Sequence, residues 1–409
     1  MTRWQRVWTV CLLLVLQPAW LRGESKISFR QITRTRPIAV QRGKSASVEV
    51  SANFSLNHSH SAFFVPAGVR MKQVDKTAKK VKWKDPEESD IGQEYRFVIE
   101  VPSGQLPGVR EYRIATDQSV SSVGHLLVTD FPVVVETDAD NSLPGTAQRV
   151  GVPAAVCGVI EAFEDVDHFR ISGRAGQELV CQIYAQRVTR SIHCMAIQYP
   201  KIHLMDAYLT LRDPRGRVIA ENDNFIGGDS LLHCRLPASG EYALEVRDSR
   251  YAGDPRYVYC VEISERPVTL ATFPIGIELG ASTAVELIRS RPVNVKDVLE
   301  SAGRVTWQSP AAARAGWERV WARGVAGEDN PVPRLVSRDP QLAVSGQNLS
   351  LQTATRVKLP VGLSGRFQKP GQTHYFRFSS QENAVTRFDV QSQQQGFAVD
   401  SVLQVLDAG

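Results

Sequence analysis

The feature that most constrains this 409-residue chain is an internal repeat. Pro, Ile, Gly, Ser, Val and Glu recur at identical spacing in one pair of stretches, and Arg, Val, Pro, Gly, Phe and Arg recur in another. The matches, in chain order, pair residues 37–50 with 274–287, 149–170 with 356–377, and 206–213 with 400–407. Three matches in register indicate a duplicated two-segment unit, A–B–A′–B′.

The repeat sets approximate bounds for four segments. They are A (residues 27–135), B (136–263), A′ (267–350) and B′ (355–409). Segment B continues from Asp213 to residue 263, whereas the sequence ends at Gly409, just after the equivalent Asp407. We therefore expect B′ to be incomplete, with an apolar face left uncovered at Tyr375, Phe376 and Phe378.

Short runs rich in β-branched and aromatic residues alternate with turn residues along the chain. Examples are Tyr95–Val101, Glu178–Tyr184 and Tyr257–Ile263, with turn pairs such as Pro107-Gly108 between such runs. Strands of this length and spacing are typical of β-sandwiches and not of βαβ units. The predicted fold class is all-β, with tandem antiparallel β-sandwiches.

A single helix is expected in this β-rich chain. Trp317, Val320 and Trp321 would share one face of a helix over Ala311–Arg323, because side chains three and four residues apart lie on the same side of a helix. Little helix is expected elsewhere.

The first residues have the features of a secretory signal peptide, assigned to residues 1–23. Arg3 and Arg6 precede the short apolar run Val7–Leu16, and polar residues follow it. The run is shorter than the ~20 apolar residues of a membrane-spanning helix, and no later stretch approaches that length. An uncleaved anchor or a buried core segment is the alternative. We expect a secreted, periplasmic or cell-surface protein with no transmembrane span beyond the signal peptide.

The charge of the chain does not indicate a nucleic-acid partner. The formal net charge is only +5, with 48 Lys and Arg offset by 43 Asp and Glu. One basic run, Arg70–Lys84, contains Trp83 and could bind an anionic polymer, or it could be a solvated loop. Export argues against a genomic partner.

Five cysteines remain after the signal peptide, all within segment B: Cys157, Cys181, Cys194, Cys234 and Cys260. In an oxidising compartment they could form one or two disulfides, with one thiol left over. Buried free cysteines that pack as small apolar residues are the alternative. Their spacings match no zinc pattern.

No recognisable catalytic motif occurs in the sequence. There is neither a His-Glu-x-x-His nor a Gly-x-Ser-x-Gly pattern, and the histidines of B, at 168, 193, 203 and 233, lack ligand spacing. A triad assembled from distant Ser, His and Asp residues stays open, because such triads are recognised by geometry. The sequence favours a protein that is not an enzyme.

Segment B resembles the bacterial pre-peptidase C-terminal (PPC) domain. The matching stretches are Gly158–Ile160, Asp165–Phe169, Asp206–Gly216, Val218–Asn224, Asp229-Ser230 and Leu236–Val246. This resemblance implies a jelly-roll-like β-sandwich of the kind appended to secreted peptidases and related to bacterial collagenase collagen-binding domains. The PPC resemblance extends to the first half of B′, and segments A and A′ look like small immunoglobulin-like domains.

The resemblance also implies a calcium site. In the collagenase relatives, an acidic segment before the sandwich and acidic residues near its first turn ligate Ca²⁺, which prefers six to eight oxygen ligands. Carried over by position, the ligands here are Glu136, Asp138, Asp140, Asn141, Asp165 and Asp167. Asp138 and Asp140 replace a Glu and an Asn of the family pattern, and Ala139 replaces a Pro. A solvated acidic linker is the alternative.

Two comparisons within the chain bear on this site. The equivalent positions of B′ carry no acidic residue: Ala343, Ser345, Gln347, Gln372 and His374. Any calcium site of this kind therefore belongs to B alone. A second polar set in B is either another calcium site or a polar hairpin loop: Glu221, Asn222, Asp223, Asn224 and Asp229.

The repeat and the missing catalytic motifs lead to one functional hypothesis. The chain is expected to be an exported, non-catalytic modular protein that mediates binding, adhesion or presentation at the cell surface or outside the cell. The alternative is an accessory region of a larger secreted peptidase or other hydrolase whose catalytic domain lies elsewhere. The partner is expected to be an extracellular protein or polysaccharide.

Overall fold

The computed structural model describes residues 30–75, 79–80, 92–137, 139–189, 204–292, 299–309, 313–324, 327–392 and 399–407. The predicted signal peptide lies outside these residues. Within them, no helix is both long enough and apolar enough to cross a membrane. The regular secondary structure of the described residues is almost entirely β-strand, which confirms the predicted all-β class.

Segment A forms two five-stranded sheets around one core. Its strands are β1 (Ile32–Arg36), β2 (Ala39–Gln41), β3 (Ser45–Ala52), β4 (Ser59–Val65), β5 (Arg70–Gln73), β6 (Lys79–Lys80), β7 (Gln93–Glu100), β8 (Gly108–Thr116), β9 (Ser119–Val120) and β10 (Gly124–Thr129). One sheet has the order β1-β3-β7-β5, with β6 beside β7, and the other has the order β2-β10-β8-β4, with β9 beside β8. Val48, Val50 and Phe97 of the first sheet pack against Tyr112 and Leu126 of the second.

Segment B forms a second sandwich. Its elements are β11 (Val133–Val135), β12 (Gln148–Val150), β13 (Ala154–Val159), β14 (Val166–Gly173), β15 (Glu178–Tyr184), α1 (Gln186–Thr189), β16 (Ala207–Arg212), β17 (Val218–Asn222), β18 (Leu231–Arg235), β19 (Gly240–Asp248) and β20 (Val258–Ser264). The joint-facing sheet has the order β11-β13-β20-β15-β18, and the outer sheet has the order β12-β14-β19-β16-β17. Alternate residues of both sheets, such as Phe169, Leu244 and Val261, bury a common core because successive side chains of a strand point to opposite faces.

The sheets are not purely antiparallel. Strand β11 pairs with β13 in parallel, β12 pairs with β14 in parallel, and β2 pairs with β10 in the same way. Strand β11 lies before residue 136 in the chain, yet its partner belongs to B. The two parallel pairs of the second sandwich arise because residues 133–150, which lead into it, add one edge strand to each of its sheets.

Segment A′ is smaller and contains no helix among its described residues. Its strands are β21 (Thr269–Phe273), β22 (Gly276–Glu278), β23 (Ser282–Ser290), β24 (Leu299–Gln308), β25 (Gly316–Gly324) and β26 (Gly327–Ser337). The helix predicted over Ala311–Arg323 is wrong: from Gly316 onward this stretch is β25, which pairs with β26. Val320 packs on the core of A′, while Trp321 lies under the Arg42 guanidinium. Pairing with β26 overrides a spacing that suits a helical face equally well.

The repeated residues of B and B′ occupy the same register positions. In B′ the strands are β27 (Gln341–Ala343), β28 (Thr355–Arg356), β29 (Gly362–Ser364) and β30 (Phe376–Arg377). Arg149 lies opposite Arg170 in the parallel β12–β14 ladder, and Arg356 lies opposite Arg377 in the parallel β28–β30 ladder. Val385 of B′ is 99% exposed, while Tyr375, Phe376 and Phe378 are partly buried.

Segment A packs on the joint-facing sheet of B, on the side that points away from the core of B. One buried apolar cluster, here called the joint core, joins the two segments: Ile38, Ala39, Leu127, Ala155, Cys157, Val159, Tyr184, Val188, Val258 and Cys260. At its edge, the Thr129 hydroxyl donates to Glu262 Oε1 at 2.5 Å, and Arg266 pairs with Asp130 at 3.2 Å. A and B therefore share a buried apolar interface as well as a linker.

Candidate functional site

Three of the predicted ligand carboxylates meet at one end of the core of B. Glu136 follows β11 directly, and Asp165 and Asp167 lie at the start of β14. The Asn141 amide donates from Nδ2 to Glu136 Oε1 at 2.8 Å. Asp167 is only 2% exposed, and the Tyr259 hydroxyl donates to its Oδ2 at 2.6 Å. These contacts group Glu136, Asn141, Asp165 and Asp167, here called the acidic cluster, and calcium binding there stays a prediction.

The electrostatics of this acidic cluster centre on Asp167. Burial raises its pKa well above the ordinary value, and a hydrogen bond with Glu136 and the negative charges of Glu136 and Asp165 raise it further. Burial also raises the pKa of Asp165. The Tyr259 hydroxyl acts in the opposite direction. Asp167 therefore keeps a proton at neutral pH unless a cation takes the place of that proton.

The backbone of β13 approaches the cluster at a glycine. A Cβ atom on Gly158 would lie 2.5 Å from Tyr259 Cζ and 2.8 Å from Glu136 Oε2, so a larger residue would displace both. The next amide, that of Val159, donates to Glu136 Oε2 at 3.1 Å. The sequence reasoning missed Tyr259 as a member of the cluster. The alternation within Tyr257–Ile263 was the available signal, because it points residue 259 towards the core.

One predicted ligand, Asp140, is not part of this geometry. Asp140 Oδ1 accepts hydrogen bonds from the Ser142 amide at 2.9 Å and hydroxyl at 2.7 Å, which lower the pKa of this exposed carboxyl. Asp138 lies outside the described residues. Within the described ranges, no three His, Cys, Asp or Glu side chains are arranged to hold a metal ion. Of the six predicted ligands, the structure groups Glu136, Asn141, Asp165 and Asp167.

The second acidic set lies at the end of β17 and in the loop that crosses from this strand of the outer sheet to β18 of the joint-facing sheet. Asp229 is fully buried, and its Oδ1 accepts the amides of Ala185 at 3.1 Å and Gln186 at 2.7 Å, at the start of α1. Its Oδ2 pairs with Arg187 Nε at 2.5 Å. The Asn222 side chain accepts the Leu231 amide. Asp229 therefore caps α1 from the loop between β17 and β18, and both of its oxygens already accept hydrogen bonds.

The structure describes four of the five cysteines of segment B, and all four are buried free thiols. Cys157 lies directly opposite Cys260 in the β13–β20 ladder, and both belong to the joint core. Burial raises the pKa of the Cys260 thiol well above its ordinary value, and its neighbour Cys157 adds to the effect. Cys194 lies outside the described residues. In this structure the four described cysteines pack as small apolar residues.

A serine, a histidine and a glutamate meet where B contacts A′. His233 Nδ1 lies 3.1 Å from the Ser290 hydroxyl, and its Nε2 lies 3.5 Å from Glu178 Oε2. Ser290 and His233 are 1% and 3% exposed, and the Val268 amide donates to the same serine oxygen. A nucleophile must reach its substrate. These contacts instead join β18 to β23.

A network of charges covers the outer sheet of B. Glu245 contacts His168 at 3.7 Å and Arg212 at 3.2 Å, and Arg247 lies 3.3 Å away. The His168 contact and the Arg212 ion pair lower the pKa of Glu245 from 4.5 to about 2. The ionised carboxylate is thus favoured in the folded state.

We expect Glu245 to make stability depend on acid. Because its folded pKa is depressed, its contribution is present above the unfolded pKa near 4.5 and is lost as the pH falls towards 2. Glu245→Gln should lower the free energy of unfolding by about 2–3 kcal/mol at pH 7 and by little at pH 2.5. Urea titrations at both pH values measure this difference. An equal loss at both would assign the effect to packing instead.

Residues 76–78 and 81–84 of the basic run lie outside the described residues. Arg70 and Lys72 are exposed on β5, and Arg70 contacts Glu100 at 3.3 Å. This part of the run is a solvated sheet edge.

Comparison with known proteins gives local similarities. No family model matches the chain. Over 82 residues it is 34% identical to a probable subtilase-type serine protease of Deinococcus radiodurans. That match covers 20% of this chain, and the chain spans only 10% of the length of this curated relative.

Three solved structures are similar to parts of the chain. The pre-peptidase C-terminal domain of a Bacillus anthracis collagenase has 12% identity and a TM-score of 0.21, covering 29% of this chain and 94% of that domain. The lysozyme inhibitor PliG of Salmonella Typhimurium has 22% identity and a TM-score of 0.19, covering 29% and 98%. The Bacteroides ovatus protein SGBP-B has 10% identity and a TM-score of 0.17, covering 56% and 73%. Because these TM-scores are low, the proposals below rest on this chain's own residues.

Proposed function

We propose that the chain is an exported, non-catalytic binding region in which A and B act as one rigid unit. The joint core is the observation that carries this proposal. It buries side chains of both segments, so the two sandwiches hold one relative arrangement. One broad face of B is covered by A, which leaves the outer sheet of B as its broad exposed face.

Contacts around the joint core support the same rigid arrangement. Arg34 of A, paired with Glu94 at 2.8 Å, also donates to the Pro255 carbonyl of B at 3.4 Å. The buried Ser290–His233 contact adds a tie between B and A′. Rigid scaffolds present binding surfaces with little loss of conformational entropy on binding.

We also propose that Ca²⁺ binds the acidic cluster and fastens the linker 136–141 to B. The chemistry of the donors fits a hard cation, because three carboxyl groups lie close together there and the groups that act on Asp167 are carboxyl and hydroxyl groups. Glu136 and Asp167 would hold the ion, with Asp165 beside them, and their side chains would have to turn towards it, since no three such groups of the described residues are arranged for a metal ion as they stand. Its role would be structural, since bound Ca²⁺ would replace the proton that Asp167 retains.

An accessory region of a larger secreted hydrolase is the second candidate. The similarity to the subtilase-type protease over 82 residues favours it. In both candidates the residues of this chain bind and do not cleave.

The test measures binding and cleavage together. The purified chain is incubated with insoluble cell-wall sacculi, collagen fibres, cellulose or chitin and sedimented, and in parallel with labelled casein. We expect sedimentation with at least one polymer and no casein cleavage. Casein cleavage that is lost with Ser290→Ala would make the chain an enzyme, and failure to sediment with any polymer would contradict a binding role.

A further inference from the structure

We propose that a groove on the outer sheet of B binds an acidic polysaccharide, one whose sugar rings carry carboxylates. This inference rests on the proposed binding function and assigns it a surface and a ligand class. The groove is an open cavity of about 620 Å³. The loop of Leu143 and Pro144 lies on one side, and the turn of Pro214 and the ring of Tyr251 complete its rim.

The floor of the groove is a row of side chains in register. Arg170 on β14 lies opposite Ala243 on β19, and Ala243 lies opposite Arg212 on β16. Arg149 on β12 continues the row beyond Arg170. The small Ala243 leaves space between two guanidinium groups. An anionic group of a ligand fits that space, since guanidinium pairs with carboxylate in a planar, bidentate geometry.

The charges of the groove leave an excess of positive charge. Arg149 pairs with Glu241 at 3.1 Å, and Arg212 and Arg247 share the single carboxylate of Glu245. Arg170 instead donates to two backbone carbonyls, those of Pro144 at 3.1 Å and Gly145 at 3.0 Å. Asp213 also lines the groove and pairs with Arg217 at 2.7 Å. When the arginines paired with the lining carboxylates are included, five arginines in the described residues accompany three carboxylates, and this excess favours an anionic ligand.

One end of the groove presents an aromatic ring in an unusual conformation. Tyr251 has φ of 55°, a value that bulky residues rarely adopt, and its side chain is 45% exposed. The Arg247 guanidinium lies 4.4 Å from the centre of this ring and 4.1 Å from that of Tyr208. The ring is therefore held at the groove in spite of backbone strain, as is common at binding sites. An exposed ring of this kind offers an apolar platform to the face of a sugar.

The position of the groove favours a polysaccharide over a peptide. Its floor consists of β14, β19 and β16, which are interior strands of the outer sheet. An extended peptide gains affinity by pairing with the free backbone of an edge strand, and interior strands have none to offer. A polysaccharide bonds through hydroxyl and carboxylate groups, which the fixed side chains of this face can satisfy.

The experiment uses affinity electrophoresis and calorimetry with polygalacturonate, a linear polymer of uronic acid. Neutral pullulan, polyglutamate and a single-stranded oligothymidylate serve as comparison ligands. The variants are Arg170→Ala, which removes the guanidinium bonded to backbone carbonyls, and Tyr251→Asn, which removes the ring while tolerating positive φ. The matched control is Arg235→Ala, an exposed arginine of the joint-facing sheet paired with Glu178. Melting temperatures check that each variant is folded.

We expect the chain to bind polygalacturonate and not pullulan, with affinity that falls as salt is raised. Arg170→Ala and Tyr251→Asn should each raise Kd by about tenfold or more, and Arg235→Ala should leave Kd unchanged. Polymer binding unaffected by both groove variants would place the site elsewhere and overturn this inference while sparing the binding function. Preferred binding of polyglutamate or the oligonucleotide would replace the ligand class. If the chain sediments with an insoluble polymer but binds no soluble one, the groove inference is wrong and the proposed binding function is retained.

Discussion

Replacing Asp167 by asparagine is expected to stabilise the protein in chelator and to abolish its response to calcium. Because the folded pKa of Asp167 is raised, the folded state holds a proton that the unfolded chain releases near pH 4. Stability therefore falls as the pH rises from about 4 towards the raised pKa. An asparagine side chain at this position would not titrate and could still accept the Tyr259 hydroxyl, so we expect a gain of about 1–3 kcal/mol at pH 8.

In calcium, the natural chain should become more stable than the Asp167→Asn variant. At a hundred times its Kd, an ion that binds the folded state stabilises the natural chain by about 2.7 kcal/mol, while Asp167→Asn should gain little. Thermal melting in millimolar calcium and in chelator measures both effects. Asp140→Asn is the matched control, because the same substitution there removes a charge that faces its own turn. Identical melting of the natural chain in both conditions would contradict a calcium site, and a calcium shift that survives Asp167→Asn would locate the ion elsewhere.

Asp229→Ala is expected to destabilise the protein more than any of the other substitutions. The substitution removes the cap from α1 and leaves the Arg187 charge without its Asp229 partner. The loss is costly because the Arg187 side chain is only 19% exposed to water. Breaking a buried pair from one side costs about 3–5 kcal/mol. Because Val188 of α1 belongs to the joint core, the damage should extend to the contact between A and B.

The comparison variant for this prediction is Asp229→Asn. Its remaining carbonyl oxygen can still accept the Ala185 and Gln186 amides, so a loss of about 1–2 kcal/mol is expected. Urea unfolding of the two variants separates the cap from the charge. If Ala and Asn destabilise the protein equally, the ion pair with Arg187 accounts for the effect and the capping bonds do not.

Much of the fold could be predicted from local sequence. The runs Tyr95–Val101, Glu178–Tyr184 and Tyr257–Ile263 all lie largely within strands, because alternating β-branched and aromatic residues suit a half-buried pleated surface. The stretch from Gly316 to Gly324 shows the limit of this reasoning. Trp317 and Val320 fit a helix as well as a strand, and only their distant partners on β26 decide between the two.

The acidic cluster could be predicted in part, for a similar reason. Asp165 and Asp167 have a spacing that the sequence reveals, and Glu136 was implied by the resemblance to the PPC domain. Tyr259 completes the cluster from another sheet, 92 positions from Asp167, so its role depends on how the sheets stack. The groove was not foreseen at all, because Arg170, Ala243 and Arg212 become neighbours only through strand register.

The parallel pairing of β11 with β13 has a mechanical consequence. Because β13 runs antiparallel to β20, Val133 at the entry to B and Ser264 at its exit lie at the same end of one sheet. Thr129 and Glu262, in contact at 2.5 Å, mark this shared end. Tension applied to the chain on both sides of B would therefore peel strands from this end one hydrogen bond at a time, and would not shear the whole ladder at once. Tethering through both neighbours would load the joint between A and B first and leave the outer sheet, with its groove, unstrained until that joint yields.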